Sequence, residues 1–154
     1  MIRRYETLTG RQFDLMQLTS AQRQALRRLM QYFESGVEWG RFSVLWQKEL
    51  ADAMLSPSPK ERMRHPLYRI AQDLEMRLGI SQGLVAPPDY RDYIVDRIEE
   101  KFGSRCNFCK TTGIREAFLS QVLAGKKDFS VAKLREVAEA LGLRLALVPV
   151  SIPA

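Results

Sequence analysis

Histidine and cysteine are almost missing from this 154-residue chain: His65 stands alone, and the only cysteines, Cys106 and Cys109, lie three residues apart. Two cysteines placed so close cannot staple a fold with a disulfide framework, and a reducing compartment suits them. A structural zinc site needs four ligands; Cys106-x-x-Cys109 has the spacing of half a site, and His65 lies in another segment. A thioredoxin-like use of the pair would need a strand-helix-strand setting that the surrounding sequence does not offer. Long apolar runs are also missing. Nothing approaches the roughly 20 residues of a membrane span, and the Arg-containing start lacks the apolar stretch of a secretory signal, so a cytoplasmic location is expected. No acidic pair, nucleophile triad or phosphate loop accompanies His65 at its Pro66 boundary, so neither an enzyme, nor a cofactor, nor a bound metal is expected. Internal repeats and low-complexity tracts are absent as well.

What is there is an ordinary packed chain with a basic bias. The apolar fraction is 45% and the formal charge +6, which favours polyanionic partners. The charge is concentrated. Residues 101–133 hold Lys101, Arg105, Lys110, Arg115, Lys126, Lys127 and Lys133 against Glu116 and Asp128, so +5 of the +6 falls there. Segment 90–100 is net acidic and 134–154 is balanced.

Periodicity predicts an all-α protein in two parts, 1–85 and 89–154. Residues 1–18 read as a polar arm. Thr19 and Ser20 offer N-caps to a helix carrying Leu26, Leu29, Met30 and Phe33 at i, i+3, i+4, i+7, with Gly36 to stop it. A second helix, from about Trp39 to Met54, aligns Trp39, Phe42, Trp46, Leu50 and Ala53 on one stripe that reads as core. Ser56-Pro-Ser-Pro59 reads as a loop. A third helix starts near Pro66 with Leu67, Ile70, Ala71, Leu74 and Leu78 on one face, and Gly79 marks its expected end. The 81–89 stretch, with Gly83 and Pro87-Pro88, reads as a connection. Beyond it, Tyr90, Ile94, Ile98 and Phe102 define a helix closed by Gly103. Ser104 caps a helix over 105–112, Gly113 makes a turn into a helix over 115–124, and Ser130 caps the last one. Leu143 to Val148 alternates loosely enough for a short strand, which Pro149 and Pro153 limit.

Two short helices around a glycine are the layout of a DNA-reading helix-turn-helix. Phe108, Cys109, Ile114, Leu119 and Val122 are placed to converge on the angle between them, and Gly113 supplies the backbone freedom of a short turn. The second helix then presents Arg115, Glu116, Ser120 and Gln121 outward, groups that reach base edges or phosphates from a major groove about 12 Å wide.

Residues 90–148 resemble the lambda-repressor and Cro-type (XRE) helix-turn-helix family, most closely its HigA-like antitoxin and regulator branch. The resemblance rests on Phe108-Cys109, where the family usually has Leu-Ala, on Gly113-Ile114, Leu119-Ser120, Val122-Leu123 and Gly125-Lys126. It continues in the final core helix from Leu134 to Gly142 and in the Leu143 to Pro149 ending. It implies that Arg115, Glu116, Ala117, Ser120 and Gln121 face the bases: Gln121 toward adenine, Arg115 toward guanine or phosphate, Glu116 toward a cytosine amino group, Ala117 toward a thymine methyl. Asn107 and the first amides of its helix become phosphate ligands, with Arg105, Lys126, Lys127 and Lys133 adding sequence-independent attraction. Glu116 departs from the Gln, Arg or small polar residue common in the family. A carboxylate facing phosphates is repelled unless it meets a cytosine or pairs with Arg115.

The expected function is therefore sequence-specific binding of double-stranded DNA by a homodimeric, antitoxin-like transcriptional regulator. The C-terminal strand would pair with its copy, and the N-terminal helices would serve dimerisation or a toxin-like protein partner. The rival expectation is a protein-interaction module in which DNA binding is secondary or lost. Arg23, Arg27 and Arg28 either extend a basic surface or form a solvated helix face, and the Arg3-Arg4 arm either reaches a groove or is disordered.

Overall fold

A computed structural model describes residues 2–54 and 58–150. Ser56 and Pro57 of the expected loop, and Pro153, lie outside them. The described chain is mostly helical with one two-stranded sheet, and no described helix is long and apolar enough to cross a membrane. It divides into two compact units, Met1–Pro88 and Asp89–Ala154.

The first unit opens with a hairpin where a polar arm was expected. Strand β1 (Arg4–Glu6) pairs antiparallel with β2 (Gln12–Asp14), Tyr5 opposite Phe13. Three-residue strands are too short to show a period of two, so nothing in the hydropathy pattern announced them. Phe13 is buried and its neighbours Gln12 and Asp14 are exposed, the alternation of a strand with one covered face. Helix α1 (Ser20–Glu34) begins with a reciprocal capping box between Thr19 and Gln22, and Gly36 follows its end at a φ of +66°. Glu38 caps α2 (Trp39–Ala53) through the amides of Gly40 and Arg41.

Pro59 does not only break structure. It occupies the first turn of a short helix, α3 (Pro59–Arg64), where its missing N–H costs nothing, and Ser58 caps it. Helix α4 (Pro66–Ser81) follows, capped by His65, whose Nδ1 accepts from the Leu67 amide at 3.1 Å. Its expected end at Gly79 is corrected: the helix runs on to Ser81, and position 79 is glycine because a Cβ there would stand 2.5 Å from Val85 Cγ2 and 3.0 Å from Trp39 Nε1. The glycine therefore serves close approach, not termination. The core of the unit comes from Leu29, Phe42, Trp46, Leu50, Leu67, Ile70 and Leu74, each contributing about 1.5–3 kcal/mol by leaving water.

One buried charge ties the hairpin to α4. Asp73 accepts from Tyr5 Oη and from Arg77 Nε (2.7 Å) on Oδ2, and from the Leu8 amide (2.8 Å) on Oδ1. Arg77 also donates to the Glu6 carbonyl at 2.9 Å. A buried carboxylate is tolerated when its lone pairs are filled in this way. Burial, and then Asp73, push the Tyr5 phenol well above its ordinary pKa, so it remains a donor.

The second unit is four helices in sequence: α5 (Tyr90–Phe102), α6 (Arg105–Thr112), α7 (Glu116–Leu123) and α8 (Val131–Ala140). Its core holds Ile94, Ile98, Phe108, Leu119, Val122, Val137 and Leu141. The expected strand over 143–148 is not formed in this chain. Those residues carry no regular secondary structure, and Leu147 and Val148 are open to solvent. A strand must find another strand to fill its backbone groups, and this unit offers none among its described residues.

Candidate nucleic-acid interface

The α6–α7 pair is built from a few local instructions. The Ser104 hydroxyl accepts from the Asn107 amide at 3.1 Å and starts α6, while Asn107 Nδ2 donates back to the Phe102 carbonyl at 3.1 Å and closes α5. Gly113 ends α6 at a φ of +75°, its amide donating to the Cys109 carbonyl at 2.9 Å. A Cβ at Gly113 would meet nothing within 4 Å, so the demand for glycine is purely conformational. Ile114 then turns into the core, and Arg115 sits at the N-cap of α7 with no side-chain cap bond.

Phe108, Leu119 and Val122 are fully buried between the two helices and α5, and Phe102 meets Phe108 edge-on at 5.2 Å. Phe118 packs edge-on against Phe129 at 5.6 Å, which joins α7 to the chain that leads into α8. With Leu119 and Val122 inward, the helical repeat turns positions 116, 117, 120 and 121 outward. Arg115, Glu116, Ala117, Ser120 and Gln121 are all exposed. Four of the expected base-facing residues, Glu116, Ala117, Ser120 and Gln121, thus share one accessible face, and Arg115 is exposed at the N-cap that precedes it.

Of the expected phosphate ligands, Arg105, Lys126 and Lys127 are exposed, and among the described residues none of them is in an ion pair. Lys127 Nζ lies 6.0 Å from the Phe118 ring centroid. Lys133 is different: it is half-buried and paired with Glu136 at 3.1 Å. Asn107 is exposed, with its amide nitrogen committed to Phe102. Glu116 is in the first turn of α7, where the helix dipole favours a carboxylate, and it does not pair with Arg115. Arg23 and Arg28 are occupied locally, the first donating to the carbonyls of Leu18 and Met16 and the second paired with Glu49 at 2.7 Å.

Sequence reasoning missed Arg91. From α5 its Nε donates to the Val122 carbonyl at 2.8 Å, and its terminal nitrogens reach Asp128, Asp89 and the Lys127 carbonyl. Tyr90 Oη donates to Asp128 at 2.8 Å. One guanidinium therefore holds the C-terminal end of α7 and neutralises the acid beside Lys126 and Lys127. Its only sequence signal is an Arg beside an N-cap Asp, which is common. Burial, and then the bond to Asp128, raise the Tyr90 phenol's pKa.

Cys106 is exposed and Cys109 is buried, both as free thiols. Burial, then Glu116, then Cys106 push the Cys109 thiol up. Among the described residues no three His, Cys, Asp or Glu side chains gather to hold a metal. No known protein family, curated protein or solved structure matches the chain.

Proposed function

We propose that residues 89–150 bind duplex DNA as an XRE-type helix-turn-helix, with α7 in the major groove, and that the chain is a homodimeric transcriptional regulator of antitoxin-like type. The observation that carries this reading is the division of α7. Leu119 and Val122 are buried, Glu116, Ala117, Ser120 and Gln121 form one exposed face, and Arg115 is exposed at the N-cap before it. Lys126 and Lys127 follow α7 and Arg105 opens α6, all three exposed and without ion partners among the described residues. Amide, guanidinium, carboxylate and methyl groups on one rigid helix suit base edges, and unpaired cations beside them suit phosphates.

The unpaired cations set the expected salt dependence. Three phosphate contacts per copy give a slope of log affinity against log salt of about −2.7 per bound copy, from about −0.9 per phosphate. A mobility-shift titration on mixed-sequence duplex at several salt concentrations measures it. Binding that does not weaken with salt would remove the support for this reading.

A second reading is favoured by the tail that follows α8. Leu147 is fully exposed and Val150 is 88% exposed. Apolar residues left this open suit a protein partner, and in this reading the chain is an interaction subunit that masks a toxin-like protein or anchors a complex. Co-purification of a neighbour-encoded protein that is lost with Leu147→Ser, together with weak and salt-insensitive DNA binding, distinguishes it.

A further inference from the structure

Neither reading uses the two thiols of α6. Cys106 is exposed in the first turn of the helix, and Cys109, 6% exposed, lies in the core beneath it. In a regular helix residues three apart have Cα atoms about 5 Å apart and Cβ atoms about 5.6 Å apart. The first distance lies inside the range of disulfides; the second exceeds their usual 3.5–4.5 Å by roughly 1 Å. A bridge between these residues therefore closes only if the first turn of α6 gives way and the Cys109 side chain leaves its place. That turn is the one fixed by Ser104 and Asn107, and Cys109 packs in the same cluster as Leu119 and Val122 of α7.

We propose that Cys106 and Cys109 form a hydroperoxide-responsive thiol switch that loosens the seat of α7. The exposed Cys106 thiol attacks the hydroperoxide: its sulfur takes one oxygen to become a sulfenic acid, the O–O bond breaks, and an alcohol or water leaves. Cys109 then gives up its proton and attacks the Cys106 sulfur, forming the S–S bond and releasing the oxygen as water. Two thiols lose two electrons and one hydroperoxide gains them. Cys109 is buried, out of reach of the oxidant until the helix turn opens, whereas Cys106 is exposed, which assigns Cys109 the second step. Strain of this kind makes the bridge easy to reduce, as a reversible switch requires. Regulation of DNA binding by the pair rests on the proposed reading of α7; the loosening of the second unit does not.

The test is titration of the reduced full chain with hydrogen peroxide, read by intact mass, free-thiol count, thermal melting and duplex DNA binding, beside Cys106→Ser. The wild-type chain is expected to become about 2 Da lighter, lose both thiols together, melt at a temperature lower by about 4–8 °C, and recover with a dithiol reductant. Its DNA affinity is expected to fall at least tenfold, while Cys106→Ser forms no bridge and keeps its melting temperature and affinity. A gain of oxygen at Cys106 with no bridge, a covalent dimer, or a bridge that leaves the melting temperature unchanged would overturn the switch. If the bridge forms and lowers melting but the reduced chain shows no affinity for DNA, the switch stands and the DNA reading falls.

Discussion

In the proposed DNA-binding reading, Gln121 would read a base and Lys126 would hold a phosphate. Gln121 and Lys126 lie close in sequence, at and just beyond the end of α7's exposed face, yet their chemistry separates them. A carboxamide pairs in two places with adenine, whereas an ammonium attracts any phosphate. Gln121→Ala is expected to cost about 1–3 kcal/mol at one base position and to relax sequence choice there. Lys126→Ala should weaken every duplex alike and reduce the salt slope by about 1. Equal effects of the two variants on specific and mixed-sequence duplex in competition binding would contradict the division. His65 makes a different residue-scale prediction. Its Nδ1 caps α4 only as an acceptor, and burial lowers its pKa. A folded pKa below the unfolded value near 6.5 means that its contribution is present above that pH and is lost as pH falls through the folded value. Thermal melting of the first unit should drop more steeply below pH 6.5 in the wild-type chain than in His65→Asn, which keeps a cap and does not titrate.

At the scale of elements, the hairpin depends on Asp73 more than on its own two short strands. Tyr5→Phe removes one of three donors from a buried carboxylate and should cost about 1–3 kcal/mol in denaturant unfolding, with the earliest loss of amide protection in β1 and β2. Unchanged protection of β1 would show that strand pairing alone holds the hairpin. That hairpin was invisible in the sequence, because its strands are three residues long and their anchor lies on α4, far along the chain. The long helices were legible for the opposite reason: α1, α2, α4 and α5 carry apolar stripes over three turns or more, and Thr19 marks the start of α1 by a local bond, as Ser104 and Ser130 do for the shorter α6 and α8. Pro59 and Gly79 were misread because each has two uses, and only the Ser58 cap and the nearness of Val85 decide between them. The exposed face of α7 followed from the buried positions Leu119 and Val122. The hold of Arg91 on α7 did not follow from anything local, since beside Asp89 its partners Val122 and Asp128 lie more than 30 residues away.

On the scale of the whole molecule, charge is distributed by role. The net positive charge of 101–133 sits on and around the α6–α7 pair, while segment 90–100 of α5 is net acidic. In the proposed reading the basic segment is the one that attracts a polyanion. A homodimer would place two α7 helices on successive major grooves of one duplex face, so the site it reads would be a palindrome with half-sites about one helical turn, roughly 34–36 Å, apart. Selection of bound duplexes from a random-sequence pool by the full, reduced chain tests this most directly. The account predicts an enriched palindromic motif with that spacing, altered at one position in each half by Gln121→Ala. A pool that stays random through successive rounds, with no salt-sensitive retention, would contradict it.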